Sequence, residues 1–140
     1  MKAVERLLLF FLIALLVLAS CRTASLSVQK NQMIVRISEI EIHRDSLSAY
    51  NAILKEEAEA SVRLEPGVIS IFPMYQQKDS TQIRILEIYA SREAYQSHIK
   101  SPHFQHYKTA TLSMVKSLQL MDMNAIDPET MRKIFKKLKD

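Results

Sequence analysis

The strand-like stretches of this chain are apolar on both faces, yet only two long helical stretches accompany them. Successive side chains of a strand alternate between faces. In Gln82–Ala90, Ile83 and Ile85 therefore point one way, while Leu86 and Ile88 point the other. In Val68–Gln76, Phe72 and Met74 oppose Ile69 and Ile71. Two helices cover only one face of a four-stranded sheet, and an open apolar face is a liability. The simplest cover is a second copy packed sheet against sheet, so the pattern predicts an obligate homodimer.

The order of elements follows from period and punctuation. Met33–Ile42, rich in Ile and Val, reads as a strand. Asp45 reads as the N-cap of a helix that carries Leu47, Tyr50, Ile53, Leu54, Ala58 and Val62 at helical spacing, with Lys55, Glu56 and Glu59 outside. Pro66-Gly67, with the chain's only glycine, stops that helix where a turn is needed. Val68–Gln76 and Gln82–Ala90 are strands joined by the polar loop 77–81, and Pro73 requires a bulge or an edge position. Ser91 caps a second helical stretch to Ile99; Ser101-Pro102 restarts it as far as about Lys116. Leu118–Met123 is the last strand, and Asp127-Pro128 opens a basic amphipathic helix, Glu129–Lys139. The result is an α+β fold in the ferredoxin-like order β-α-β-β-α-β. Residues 32–126 form the domain and 127–140 a helical tail.

The N-terminal residues have another purpose. Lys2 and Arg6 precede Leu7–Leu18, twelve apolar residues, and then the small Ala19 and Ser20. A stable membrane span takes about 20 apolar residues, so the run fits the core of a secretory signal instead. Leu18-Ala19-Ser20-Cys21 resembles the lipobox of bacterial lipoprotein precursors. That resemblance implies a diacylglycerol on the Cys21 thiol and cleavage before it. Residues 1–20 would then be a signal peptide, 21–31 a polar tether, and the mature protein a membrane-anchored lipoprotein of the cell envelope. Cys21 is the sole cysteine, so no internal disulfide supports the fold. Cleavage lowers the net charge from +4 to +3, since Lys2, Arg6 and Glu5 are lost. That is too mild to argue for a nucleic-acid partner. In the tail, Arg132, Lys133, Lys136, Lys137 and Lys139 alternate with Met131, Ile134, Phe135 and Leu138. Such a helix either packs on the domain or its partner, or touches anionic headgroups.

Several segments together carry a family resemblance. Glu65-Pro66-Gly67, Leu86-Glu87-Ile88-Tyr89, Glu93-Ala94-Tyr95-Gln96-Ser97-His98, Ser101-Pro102-His103-Phe104 and Tyr107 resemble the antibiotic biosynthesis monooxygenase domain, in its quinol monooxygenase branch. The likeness spans about residues 33–125. It implies a dimeric α+β barrel with a pocket between sheet and helices in each subunit. It also implies oxygenation of a small aromatic quinol or phenol by dioxygen without metal or flavin. That chemistry needs a base, a dry pocket and groups that hold the ring. His98 is the candidate base, because imidazole titrates near neutral pH. Glu87 is the candidate to orient it; the alternative is a structural bridge from Glu87 to Arg84 or Arg36. Phe72, Tyr89, Phe104 and Tyr107 are candidates for the substrate-binding wall, or else simply core.

No cofactor is expected. His98, His103 and His106 lack a carboxylate at clear ligand spacing, which argues against a metal. The haem-degrading relatives of the fold carry a Trp on the second helix and a His ten residues on; His98 and Lys108 stand there, and the chain has no Trp. No Gly-rich loop suits a nucleotide. The rival function is a non-catalytic small-ligand-binding or docking lipoprotein of the same fold. The lipobox generates a test: mass spectrometry of the mature N-terminus should show a diacylated Cys21, and Cys21→Ser should leave the precursor uncleaved. Cleavage elsewhere, or an unmodified thiol, would refute the anchor.

Overall fold

The computed structural model describes residues 33–135. The signal peptide, Cys21, the tether and tail residues 136–140 lie outside these. Strand β1 is Ile34–Ile42; helix α1, Leu47–Leu64; β2, Val68–Gln76; β3, Asp79–Tyr89; α2, Arg92–His98; α3, Pro102–Thr111; β4, Val115–Met123; and α4, Pro128–Phe135. The four strands make one antiparallel sheet in the order β2-β3-β1-β4. This is the expected ferredoxin-like fold. Among the described residues no helix is long and apolar enough to cross a membrane.

Register sorts the side chains. Ile40 lies opposite Ile83 and Ser38 opposite Ile85, and these face the helices with Ile42, Val68, Ile71 and Tyr89. Tyr50, Leu54 and Ala58 of α1 close this core from above. The other face carries Ile37 opposite Leu86, with Phe72 on the far side of Leu86. Phe72 is 58% exposed there, and Met74 and Met123 are exposed too. The two-sided apolar pattern is therefore real, with one side buried under the helices. Three cross-strand ion pairs brace β1: Arg36–Asp122, Arg84–Glu39 and Lys116–Glu41.

Local details depart from the sequence reading. Asp45 falls within a short 3-10 turn, Arg44–Ser46, and α1 starts at Leu47 without a side-chain cap. The buried stripe of α1 is Tyr50, Leu54, Glu57, Ala58 and Ser61, whereas Val62 is exposed. Reading phase from apolar residues alone misses this, because the lower half of the stripe is polar. The β2–β3 hairpin has only Gln77 and Lys78 between its strands; Asp79 accepts hydrogen bonds from the Thr81 backbone N–H and hydroxyl and so draws its own residue into β3. Ser91 and Ser101 do cap α2 and α3, accepting from the N–H of Ala94 and Phe104. Helix α3 ends at Thr111 rather than near Lys116, and β4 begins at Val115 because Ile42 pairs with it. Pro73 sits in β2, an edge strand, and the bulges fall at Val68/Ser70 and Tyr75/Gln76 instead.

Gly67 also needs a different account. Its φ is not positive, so the turn does not demand glycine for conformational freedom. What demands it is space: a Cβ there would stand 2.5 Å from the Ala94 Cβ. Here the Glu65–Val68 turn touches α2, and the Gly67 carbonyl accepts the Ala90 N–H at 2.8 Å. Gly67→Ala should destabilise by about 1–3 kcal/mol, the usual cost of overpacking. Adding Ala94→Gly should recover part of the loss, so the double variant will fall short of the sum of the singles in urea unfolding. Simple additivity would contradict the close-approach account.

Candidate functional site

His98 is the last residue of α2 and is 1% exposed. Ser91 starts this helix by capping it, and seven residues carry the imidazole under α1. The ring stacks at an angle on Tyr89, 5.3 Å between centroids, and meets the Phe104 ring edge-on at 4.8 Å. Its Nδ1 lies 3.0 Å from Glu65 Oε1, and its Nε2 lies 3.7 Å from Glu57 Oε1. Both ring nitrogens thus face carboxylates of α1 and its cap. The expected Glu87–His98 pairing is not made, because α1, not β3, borders both edges of the ring. A buried imidazole flanked in this way positions its neighbours; neither nitrogen is turned toward open space for a substrate proton.

Glu87 belongs to a second set of bonds. It accepts from the Ser38 hydroxyl and, at 2.9 Å, from the Tyr89 hydroxyl. It bridges to neither Arg84 nor Arg36. Arg36, opposite Glu87 in register, turns to Asp122 at 2.7 Å and lies over the Tyr95 ring at 4.8 Å. Beside Glu87, the Tyr50 and Tyr107 hydroxyls share a 2.7 Å hydrogen bond. Glu57 is buried and accepts from Ser61 at 2.7 Å, one helical turn on. Burial raises its pKa above the ordinary carboxylate value, with the Ser61 bond and the charge of His98 opposing. Burial likewise pushes the Tyr50 hydroxyl up to about 12, and those of Tyr89 and Tyr107 higher still, Tyr89 aided by Glu87 and Tyr107 by Tyr50.

Of the expected wall, Tyr89 and Phe104 pack on His98, and Tyr107 stands next in line, 6.3 Å from the Phe104 ring. Phe72 does not join them. Its register opposite Leu86 puts it on the other sheet face. Sequence reasoning missed Glu57 and Glu65. Glu57 had a signal: it follows Tyr50 by seven residues and precedes Ser61 by four, which sets it on the inner helical stripe. Glu65 entered only as part of the Glu65-Pro66-Gly67 segment, with no signal for its pairing, since its partners are 33 and 38 residues away. His106 is exposed, and it is His103 that joins His98, through Glu65. Two grooves, of about 380 and 670 Å³, flank this point; Leu64, Glu65 and Ser97 line both, and His103 lines the larger.

This fold, with a polar cluster enclosed between sheet and helices, defines a small ferredoxin-like α+β domain. The model of the antibiotic biosynthesis monooxygenase family matches residues 33–110, and the chain belongs to that family. A solved structure from Bacteroides thetaiotaomicron, provisionally named an antibiotic biosynthesis monooxygenase, is 45% identical; the match covers 71% of this chain and 95% of that one, with a TM-score of 0.70. A provisionally named monooxygenase from Lactobacillus acidophilus is 27% identical over 69% of this chain and 45% of its own, with a TM-score of 0.66. A Nitrosomonas europaea structure with the same provisional family name shares the fold at 19% identity and a TM-score of 0.65, over 69% of this chain and 93% of that one. No curated protein matches the sequence significantly.

The raised tyrosines give a prediction with a fixed sign. A group whose pKa is higher folded than unfolded stabilises the fold below its unfolded value and loses that contribution as pH climbs. Stability should therefore fall as pH rises above about 10, the ordinary tyrosine value. Absorbance near 295 nm should show three of the five tyrosines staying protonated at pH 11 and ionising only on unfolding. Ionisation of all five in the intact fold would refute their enclosure.

Proposed function

We propose that the protein is a lipid-anchored monooxygenase that acts on a small aromatic quinol or phenol with dioxygen. The observation that carries this reading is the enclosed cluster of Glu57, Glu87, Tyr50, Tyr89, Tyr107 and His98 within a domain of this family. In this reading Glu87 accepts the substrate's hydroxyl proton, since it faces the tyrosines and holds two neutral donors rather than a cation. Tyr89, Phe104 and Tyr107 hold the ring. His98 keeps Glu57 and Glu65 in place. The deprotonated ring is electron-rich enough to reduce dioxygen directly; one oxygen atom replaces a ring hydrogen, the other leaves as water, and the substrate, which supplies all four electrons, ends as a quinone. A second copy covers the face of Phe72, Met74 and Met123. Cys21 tethers the dimer to the envelope membrane through residues 21–31.

One observation favours a binding module instead. Among the described residues every buried side-chain nitrogen and oxygen has a hydrogen-bond partner, so none waits for a ligand. Oxygen uptake by the full chain in detergent, with a panel of quinols and phenols, separates the readings. Glu87→Gln should lower uptake about 10²–10⁴-fold, the typical contribution of a positioned base, while circular dichroism stays unchanged. Full uptake by that variant removes Glu87 from the chemistry. Ligand binding without any uptake installs the binding module, and neither binding nor uptake defeats both.

A further inference from the structure

Three helix ends meet at one point. Glu65 is the C-cap residue of α1, His98 ends α2, and His103 lies in the first turn of α3. Glu65 Oε1 stands 3.0 Å from His98 Nδ1 and 2.5 Å from His103 Nε2. The three donor atoms all lie within 4.8 Å of one another. From this geometry we propose that Glu65, His98 and His103 form a binding site for one divalent first-row transition-metal ion.

The distances suit coordination. Ligands about 2.0–2.2 Å from Zn²⁺ in a tetrahedron sit about 3.3–3.6 Å apart, so small side-chain adjustments would place an ion among these atoms. Two imidazoles and one carboxylate are too nitrogen-rich for Mg²⁺ or Ca²⁺, which take oxygen. The absence of thiolate from the trio disfavours Cu⁺. The set matches the three-ligand sites that leave a position open. Access fits as well. The Glu65 and His103 side chains are 15% and 16% exposed, and both line the groove beside Ser97 and Pro102. His98, by contrast, closes the site from inside.

Behind the trio is the support such a site requires. A metal-bound imidazole presents its other N–H to a carboxylate or carbonyl, which fixes the tautomer and the ring. With Nδ1 on the ion, His98 Nε2 carries the proton and faces Glu57 Oε1 at 3.7 Å. Glu57 is itself held by the Ser61 hydroxyl. The order metal, imidazole, carboxylate, hydroxyl thus runs from the groove into the core. The site is independent of the oxygenase reading, because an ion that ties together three helix ends serves an enzyme and a binding module alike.

The test uses the full chain in detergent, stripped of metal. Titration calorimetry with Zn²⁺ should give one ion per chain with micromolar or tighter affinity, and Co²⁺ should develop visible absorption bands of a low-coordinate site. His103→Gln, at the groove, should weaken Zn²⁺ at least about 100-fold, since even outer-sphere losses cost 10–100-fold. Glu65→Gln should do the same. His106→Ala, an exposed histidine on the same helix, should bind as the parent does. Circular dichroism verifies that each variant folds, and His103→Gln decides the matter if Glu65→Gln does not. No stoichiometric binding at 100 µM Zn²⁺, or equal binding by parent and His103→Gln, overturns the site.

Discussion

A buried imidazole between two carboxylates organises the helical half of this domain. His98 has Glu65 on one nitrogen and Glu57 on the other. Each carboxylate has a further partner, Ser61 for Glu57 and His103 for Glu65, so the buried polar groups are satisfied as one network. The imidazole is the one group that touches both carboxylates. Glu57 lies on the buried stripe of α1, and Glu65 is its C-cap residue, just before Pro66. His98 fixes how far α2 reaches beneath them. The aromatic rings of Tyr89 and Phe104 then pack against the imidazole faces, so the polar trio also decides where the apolar walls stand.

How much of this was legible depends on the range of each interaction. The serine caps of α2 and α3 could be read directly, because a cap and its N–H are three residues apart. Strand order followed from the order of elements, and the two-sided apolar pattern followed from the period-two alternation of β2 and β3. The phase of α1 was only half readable. Its stripe begins with Tyr50 and Leu54 but continues with Glu57 and Ser61, which satisfy each other, so an apolar pattern passes over the polar pair and takes in Val62 instead. Pairings across the fold were not readable at all. The partner of Glu87, left open among His98, Arg84 and Arg36, is none of these, because a strand residue can meet an imidazole, a serine or a tyrosine equally well; the sheet register chose Ser38 and Tyr89.

Aromatic residues show the same limit. Tyr89, Phe104 and Tyr107 share a side with His98, and Phe72 does not. In β2 a bulge between Val68 and Ser70 shifts the alternation that follows. One inserted residue reverses which side chains look inward. No property of Phe72 itself reports such an event upstream.

Pro73 has a consequence for the sheet margin. It occupies β2, the outer strand of the order β2-β3-β1-β4, and it has no N–H to offer a strand arriving from solvent. At the opposite margin, β4 carries exposed Lys116 beside Glu41, a charge that an incoming strand would have to desolvate. Both margins therefore resist strand addition, the route by which open sheets polymerise. What the margins leave open to association is the flat side of the sheet, where Phe72, Met74 and Met123 stand exposed, and a contact made there uses no strand edge and so leaves no template for a growing ribbon.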